Sequence, residues 1–81
     1  FPETAQQAYR IYQDGLKRLP KDRLLATNFV FTVDRWAMSA GDAGDWAEAV
    51  RIYDLGLAQM PNDSGLKRNK KYAEQMKTKG K

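Results

Sequence analysis

The side chains that most often carry catalysis or bind metals are missing from this chain. Its 81 residues contain no histidine and no cysteine, which excludes the common zinc sites, Ser–His–Asp arrangements and reactive thiols. Three of the carboxylates, Glu3, Asp14 and Glu48, are scattered without the spacing that paired acid–base work requires. We therefore expect no enzyme activity, no metal and no cofactor.

A glycine-containing turn at 41–44 matches no ion-binding or phosphate-binding loop. Asp42 and Asp45 flank this turn, but an EF-hand loop needs further oxygen ligands at fixed positions and a final Glu. The turn also lacks the Gly-Lys-Ser/Thr ending of a phosphate loop. We interpret it as a connection between two helices.

The positive charge lies at the carboxyl-terminal end of the chain. Of the net charge of +4, residues 1–63 contribute −2 and residues 64–81 contribute +6. A basic helix that includes Tyr72 could bind nucleic-acid phosphates or an anionic membrane surface. The alternative is a solubilising polar cap at the end of a repeat array. The candidate basic patch consists of Lys67, Arg68, Lys70 and Lys71.

An internal repeat with an offset of 41 residues organises the rest of the chain. Eight of the fifteen positions in 8–22 are identical to their counterparts in 49–63, where unrelated segments would share about one. Leu25/Leu66 and Asn28/Asn69 continue the register. The shared string is A-x-R-I-Y-x-x-G-L-x-x-x-P-x-D.

Helical spacing of the apolar residues predicts an all-α fold of about four helices. They are expected near 3–18, from about 22 to 40, at 46–59, and after 63 or 64. Pro20 and Pro61 would end the first and third helices. The strand-like run at 29–33 is predicted as helix because no partner strand is visible. A glycine inside each repeated helix indicates that another helix passes close by.

The expected core follows from the same spacing. The first helix would contribute Ala8, Tyr12, Leu16 and Leu19. The second would contribute Leu25, Phe29, Val33, Trp36, Ala37 and Ala40. The third would contribute Trp46, Ala49, Val50, Tyr53, Leu57 and Met60, and the fourth Leu66, Tyr72, Ala73 and Met76.

The third helix resembles the second half of a tetratricopeptide repeat, on the residues Gly44-Asp45-Trp46-Ala47-Glu48-Ala49, Tyr53, Gly56 and Pro61. The first helix repeats most of that signature in Ala8, Tyr12, Gly15 and Pro20. The resemblance implies one domain, 1–78, of antiparallel helix–turn–helix units in a right-handed superhelix. It would comprise a half repeat at 1–21, a full repeat at 22–61 and a capping helix at 62–78. Residues 79–81 would form a disordered basic tail.

The resemblance also implies a function, a solenoid scaffold that binds a peptide or partner protein in a groove. Because the chain begins at Phe1, we expect it to be part of a larger protein. The groove candidates are Asn28, Phe31, Arg35, Arg68, Asn69 and Tyr72, with Thr27 and Asp34 on the same side. For Asn28 and Asn69 the alternative interpretation is packing between helices.

Two further expectations concern partners. The run Arg-Ile-Tyr…Gly-Leu…Pro is also similar to half-a-tetratricopeptide repeats, which leaves open an RNA-processing scaffold whose basic C-terminal helix contacts nucleic acid. The first helix lacks its own partner half, so we expect apolar surface there that a preceding repeat or a second copy would cover, giving in the latter case a homodimer. No stretch is long and apolar enough to span a membrane.

Overall fold

A computed structural model describes residues 2–79, with side chains from Ala5 onward. Its four helices are α1 (Pro2–Arg18), α2 (Arg23–Asp42), α3 (Trp46–Gln59) and α4 (Ser64–Lys79). No strand occurs in the described residues, so the all-α prediction is confirmed. Lys79 belongs to α4, while the rest of the predicted disordered tail, Gly80 and Lys81, lies outside the described residues.

Three aspartates start the helices that follow the turns. Asp22, Asp45 and Asp63 each accept a hydrogen bond from the backbone N–H three residues later, at 3.0, 3.0 and 2.9 Å. Each carboxylate satisfies a donor that has no partner within its helix and places a negative charge at the positive helix end. Each of the three aspartates is therefore the N-cap of the helix that follows it.

Both turns that contain a proline are built in the same way. In each, the residue before the proline donates its N–H to a glycine carbonyl, at 2.8 and 2.9 Å. The N–H of the cap aspartate then donates to the carbonyl of the residue before the proline, at 3.1 Å in both turns. The repeat is thus present in three dimensions, and the α1–α2 hairpin matches the α3–α4 hairpin. The equivalent residues are Leu19/Met60, Gly15/Gly56 and Asp22/Asp63.

The turn between α2 and α3 is different and shorter than predicted. The second helix continues beyond its expected end at residue 40 to Asp42. Gly44 has a φ of 91°, in the left-handed region that a glycine adopts without steric penalty. This tight connection brings α3 back against α2.

Adjacent helices pack against each other in chain order, and α2 also touches α4. The strand-like run at 29–33 is helical, as predicted, and supplies Phe29 and Val33 to the centre of the core. The buried hydrophobic residues are Tyr9, Leu16, Phe29, Val33, Trp36, Ala37, Ala49, Ile52, Tyr53, Leu66 and Ala73.

The predicted core of α1 is wrong in two places. Leu19 is exposed, because α1 ends at Arg18 and Leu19 begins the turn. Tyr9, which the spacing did not select, is buried, and its ring centroid lies 5.4 Å from that of Phe29 and 5.6 Å from that of Trp36. Tyr12 is only half-buried. The helix is therefore rotated so that Tyr9 and Leu16, rather than Tyr12, face α2 most directly.

Candidate functional site

A hydrogen-bonded brace joins three helices at Asp34. The Tyr53 hydroxyl on α3 donates to Oδ1 of Asp34 at 2.6 Å, and Nδ2 of Asn69 on α4 donates to the same oxygen at 2.8 Å. Because one carboxylate accepts from two other helices, the brace fixes how α2, α3 and α4 sit together. Asn69 and Asp34 were predicted on the groove, and the structure uses both for contact between helices.

The brace changes the acidity of Tyr53. Burial of the hydroxyl raises its pKa far above the ordinary value, and the hydrogen bond to Asp34 and the negative charge of that carboxylate raise it further. Tyr53 therefore stays protonated in the folded chain at pH values where a free tyrosine ionises.

This shift predicts a loss of stability in alkali. The unfolded chain loses the Tyr53 proton near pH 10, while the folded chain keeps it. The stabilisation that the protonated Tyr53 gives to the folded state is therefore complete below about pH 10 and is lost progressively above it. For this group the free energy of unfolding should fall by about 1.4 kcal/mol per pH unit. Urea unfolding at pH 9–11.5 should show a smaller slope for Tyr53→Phe than for the wild type. The non-titrating control Leu24→Ala, at an exposed position, should keep the wild-type slope, and an equal slope for Tyr53→Phe would contradict the assignment.

An exposed apolar stripe runs along α2. Phe31 is 58% exposed, and the guanidinium carbon of Arg35 lies 5.5 Å from the centroid of its ring, within the range of a cation–π contact. Leu24 is also exposed and lies seven residues before Phe31, two helical turns away on the same face. Leu24 was not among the predicted groove residues, although this spacing could have identified it.

The equivalent stripe on α4 has Tyr72 at the position of Phe31. Tyr72 is 46% exposed, and its ring meets that of Trp46 edge-on, with centroids 5.7 Å apart. Arg68 is exposed one helical turn before it. Phe31 and Tyr72 hold equivalent positions of the repeat, on two helices that touch each other. We call Phe31, Arg35, Arg68 and Tyr72 the aromatic face.

Asn28 differs from its counterpart Asn69. It is half-buried on α2, and no hydrogen bond joins its side chain to any side chain in the part of the chain that the structure describes from Ala5 to Lys79. Thr27, one residue earlier, is exposed. The Asn28 amide therefore has no side-chain partner among the described residues, unlike that of Asn69.

The basic patch is smaller than the sequence predicted. Nζ of Lys70 lies 2.7 Å from Oδ1 of Asp54 on α3, and this hydrogen bond raises the pKa of Lys70. Lys67, Arg68 and Lys71 are exposed, but so is Glu74, one turn after Lys70. One of the four cations is therefore paired, and an acid interrupts the rest of the helix surface.

The described residues contain no helix with the length and apolarity needed to cross a bilayer. Nor do any three carboxylates within them gather as metal ligands would. Comparison of the chain with family models, curated proteins and solved structures finds no match. What the molecule binds must therefore be inferred from the chemistry of its own surfaces.

Proposed function

We propose that this chain is a protein-interaction module of tetratricopeptide type, and that its aromatic face binds a peptide segment of a partner protein. The observation that supports it is the exposure of Phe31 and Tyr72 at equivalent positions of the repeat. Each ring is held by a neighbour, Phe31 by Arg35 and Tyr72 by Trp46. Aromatic side chains already held in one orientation lose little conformational entropy on binding and are typical of interface hot spots.

The charge of this face indicates the kind of peptide. Arg35 lies over the Phe31 ring and Arg68 is exposed one helical turn before Tyr72, and a guanidinium can hold a carboxylate through two parallel hydrogen bonds. We therefore expect an acidic peptide that also carries apolar side chains for the two rings. A neutral or basic peptide would satisfy the rings and leave both cations without a partner.

The RNA-scaffold alternative finds less support in the arrangement of α4. Phosphate binding depends on the number of cations that meet the backbone, and here Lys70 already pairs with Asp54. The exposed Glu74 would repel phosphate on the same helix. The exposed cations of α4 that remain for such a contact are Lys67, Arg68, Lys71, Lys77 and Lys79.

A peptide-display selection on the wild-type chain tests the proposal. The selected peptides should be acidic, and Phe31→Ser or Tyr72→Ser should weaken their binding by about tenfold or more, as expected of hot spots. Leu19→Ser removes an exposed apolar side chain in the α1–α2 turn and should leave the affinity unchanged. Isothermal titration of each variant measures the effect.

Equal affinity of the selected peptides for the wild type and for both serine variants would contradict the proposal. An oligonucleotide arm distinguishes the alternative. In this arm a single-stranded RNA is titrated into the chain at low salt. Binding that weakens steeply with added salt, and that is lost when Lys67, Arg68 and Lys71 are neutralised, would favour the nucleic-acid interpretation over the peptide interpretation.

A further inference from the structure

The same six residue types form one face of each hairpin. On α3 and α4 these residues receive α2, and we call them the receiving face. On α1 and α2 none of the described helices lies on them, and we call them the free face. The receiving face is Ala49, Ile52, Tyr53, Gly56, Leu66 and Asn69, and the free face, 41 residues earlier in each case, is Ala8, Ile11, Tyr12, Gly15, Leu25 and Asn28.

Two neighbouring residues of α2 make the contact with the receiving face. Val33 lies against Gly56 so closely that a Cβ at that glycine would be 2.7 Å from Cγ1 of Val33. The next residue, Asp34, accepts the hydrogen bonds from Tyr53 and Asn69. The receiving face therefore recognises a helix by a β-branched side chain over a glycine and a carboxylate beside it.

The internal packing of the free face is the same. A Cβ at Gly15 would lie 3.1 Å from Cδ1 of Leu25, and a Cβ at Gly56 would lie 3.1 Å from Cδ1 of Leu66. The hairpins thus hold their glycine and leucine in the same relation, and the free face keeps the shape that seats α2 elsewhere. The two glycines differ in their neighbours, since Val33 stands over Gly56 whereas the three atoms nearest to a Cβ at Gly15 all belong to Leu25.

Equivalent side chains on the two faces differ in their exposure to solvent. Ile52 is 0% exposed on the receiving face, whereas Ile11, its equivalent, is 67% exposed. Tyr53 is fully buried and Tyr12 half-buried. Burying an isoleucine side chain is favourable, so the free face offers a favourable site for a helix of the right pattern.

We propose that the free face binds an amphipathic α-helix of a partner polypeptide that carries a β-branched residue followed directly by a carboxylate. The β-branched residue packs over Gly15, the helix covers Ile11, and the carboxylate accepts hydrogen bonds from Tyr12 and Asn28. This surface is distinct from the aromatic face, so the inference goes beyond the proposed function and does not depend on it.

A second copy of this chain does not supply that pattern at its open end. The equivalents of Val33, Asp34 and Ala37 on α4 are Glu74, Gln75 and Thr78, all polar and exposed. In α2 the pattern exists, but its apolar face is already packed within the same chain. What fits the free face is therefore a helix with the chemistry of α2, which neither α2 nor α4 of a second copy supplies.

The probe for the test is a fluorescent synthetic peptide with the sequence of α2, residues 23–42, titrated into the full chain. We expect saturable one-to-one binding that Ile11→Lys weakens at least tenfold. Peptides with Val33→Lys or Asp34→Ala should bind at least several-fold more weakly than the parent peptide. The Phe31→Ser chain should bind the parent peptide like the wild type, which separates this site from the aromatic face.

Unchanged affinity in the Ile11→Lys chain, or no binding at the highest soluble peptide concentration, would overturn the inference. Because Ile11 is exposed, the lysine variant should fold, and its circular dichroism verifies this. Sedimentation of the chain alone provides a separate outcome. A wild-type dimer that Ile11→Lys dissociates would assign the free face to a second copy and overturn the proposed occupant.

Discussion

Replacing Ile52 by alanine should lower the free energy of unfolding by about 2–5 kcal/mol, the usual range for truncating a fully buried isoleucine. The same replacement at Ile11 should change it by less than about 0.5 kcal/mol, as expected of an exposed position. The residue type, the helix position and the neighbouring sequence are the same at both sites. The expected difference comes from their surroundings, since Ile52 is fully buried and Ile11 is 67% exposed.

Urea unfolding followed by circular dichroism measures both variants. If Ile52→Ala fails to fold, Ile52→Val provides a milder change with an expected loss of about 0.5–1.5 kcal/mol. Ile11→Val is then the matched control and should be neutral. Equal losses at the two positions would contradict the assignment of one covered and one open face.

Alanine at Gly56 should destabilise the fold, while alanine at Gly15 should be neutral or stabilising. Alanine is favoured over glycine inside a helix by about 1 kcal/mol, a gain available to both variants. At Gly56 the new Cβ would lie 2.7 Å from Cγ1 of the fully buried Val33 and 3.1 Å from Leu66. Overpacking of this kind costs about 1–3 kcal/mol and exceeds the gain in helix propensity at the upper part of that range.

At Gly15 the three atoms nearest to the new Cβ all belong to the Leu25 side chain, the first at 3.1 Å. Leu25 is half-buried and can move by a few tenths of an ångström at little cost. Thermal unfolding should therefore give a lower melting temperature for Gly56→Ala than for Gly15→Ala. In a domain of this size about 1 kcal/mol corresponds to a shift of about 4–8 °C. A lower melting temperature for Gly15→Ala than for Gly56→Ala would contradict the packing.

Local signals in the sequence were sufficient to predict the helices. The caps at Asp22, Asp45 and Asp63 depend on groups three residues apart, and the proline turns depend on backbone geometry within a few residues. The close approach at Gly15 and Gly56 was also readable, because an unexplained glycine in a helix indicates a neighbouring chain. These features were predictable because the interacting groups are close in sequence.

Contacts between distant residues were not predictable in the same way. Asp34 was placed on the groove, but its partners are 19 and 35 residues away, and no periodicity selects Tyr53 and Asn69 as its donors. The burial of Tyr9 rather than Tyr12 depends on the rotation of α1 against α2, which is set by the aromatic rings of Phe29 and Trp36. Tertiary packing decides such details.

The two copies of the repeated string also have different surroundings, which their identical sequence does not reveal. Ile11 and Ile52 lie in the same repeated string, and periodicity assigns them the same role. One is buried and the other exposed because a helix packs on one copy alone. Of the predicted groove residues, Phe31, Arg35, Arg68 and Tyr72 keep exposed side chains, whereas Asn69 is bonded to Asp34.

The most direct test of this account uses the isoleucine methyl groups, because the chain contains two isoleucines, Ile11 and Ile52. In an isoleucine-labelled NMR spectrum, a soluble paramagnetic agent should broaden the Ile11 methyl signal and leave that of Ile52 sharp. Addition of the 23–42 peptide should shift the Ile11 signal and protect it, with Ile52 unchanged. Protection of both signals before the peptide is added, or an Ile11 signal that stays broadened at saturating peptide, would contradict a free face that receives a helix.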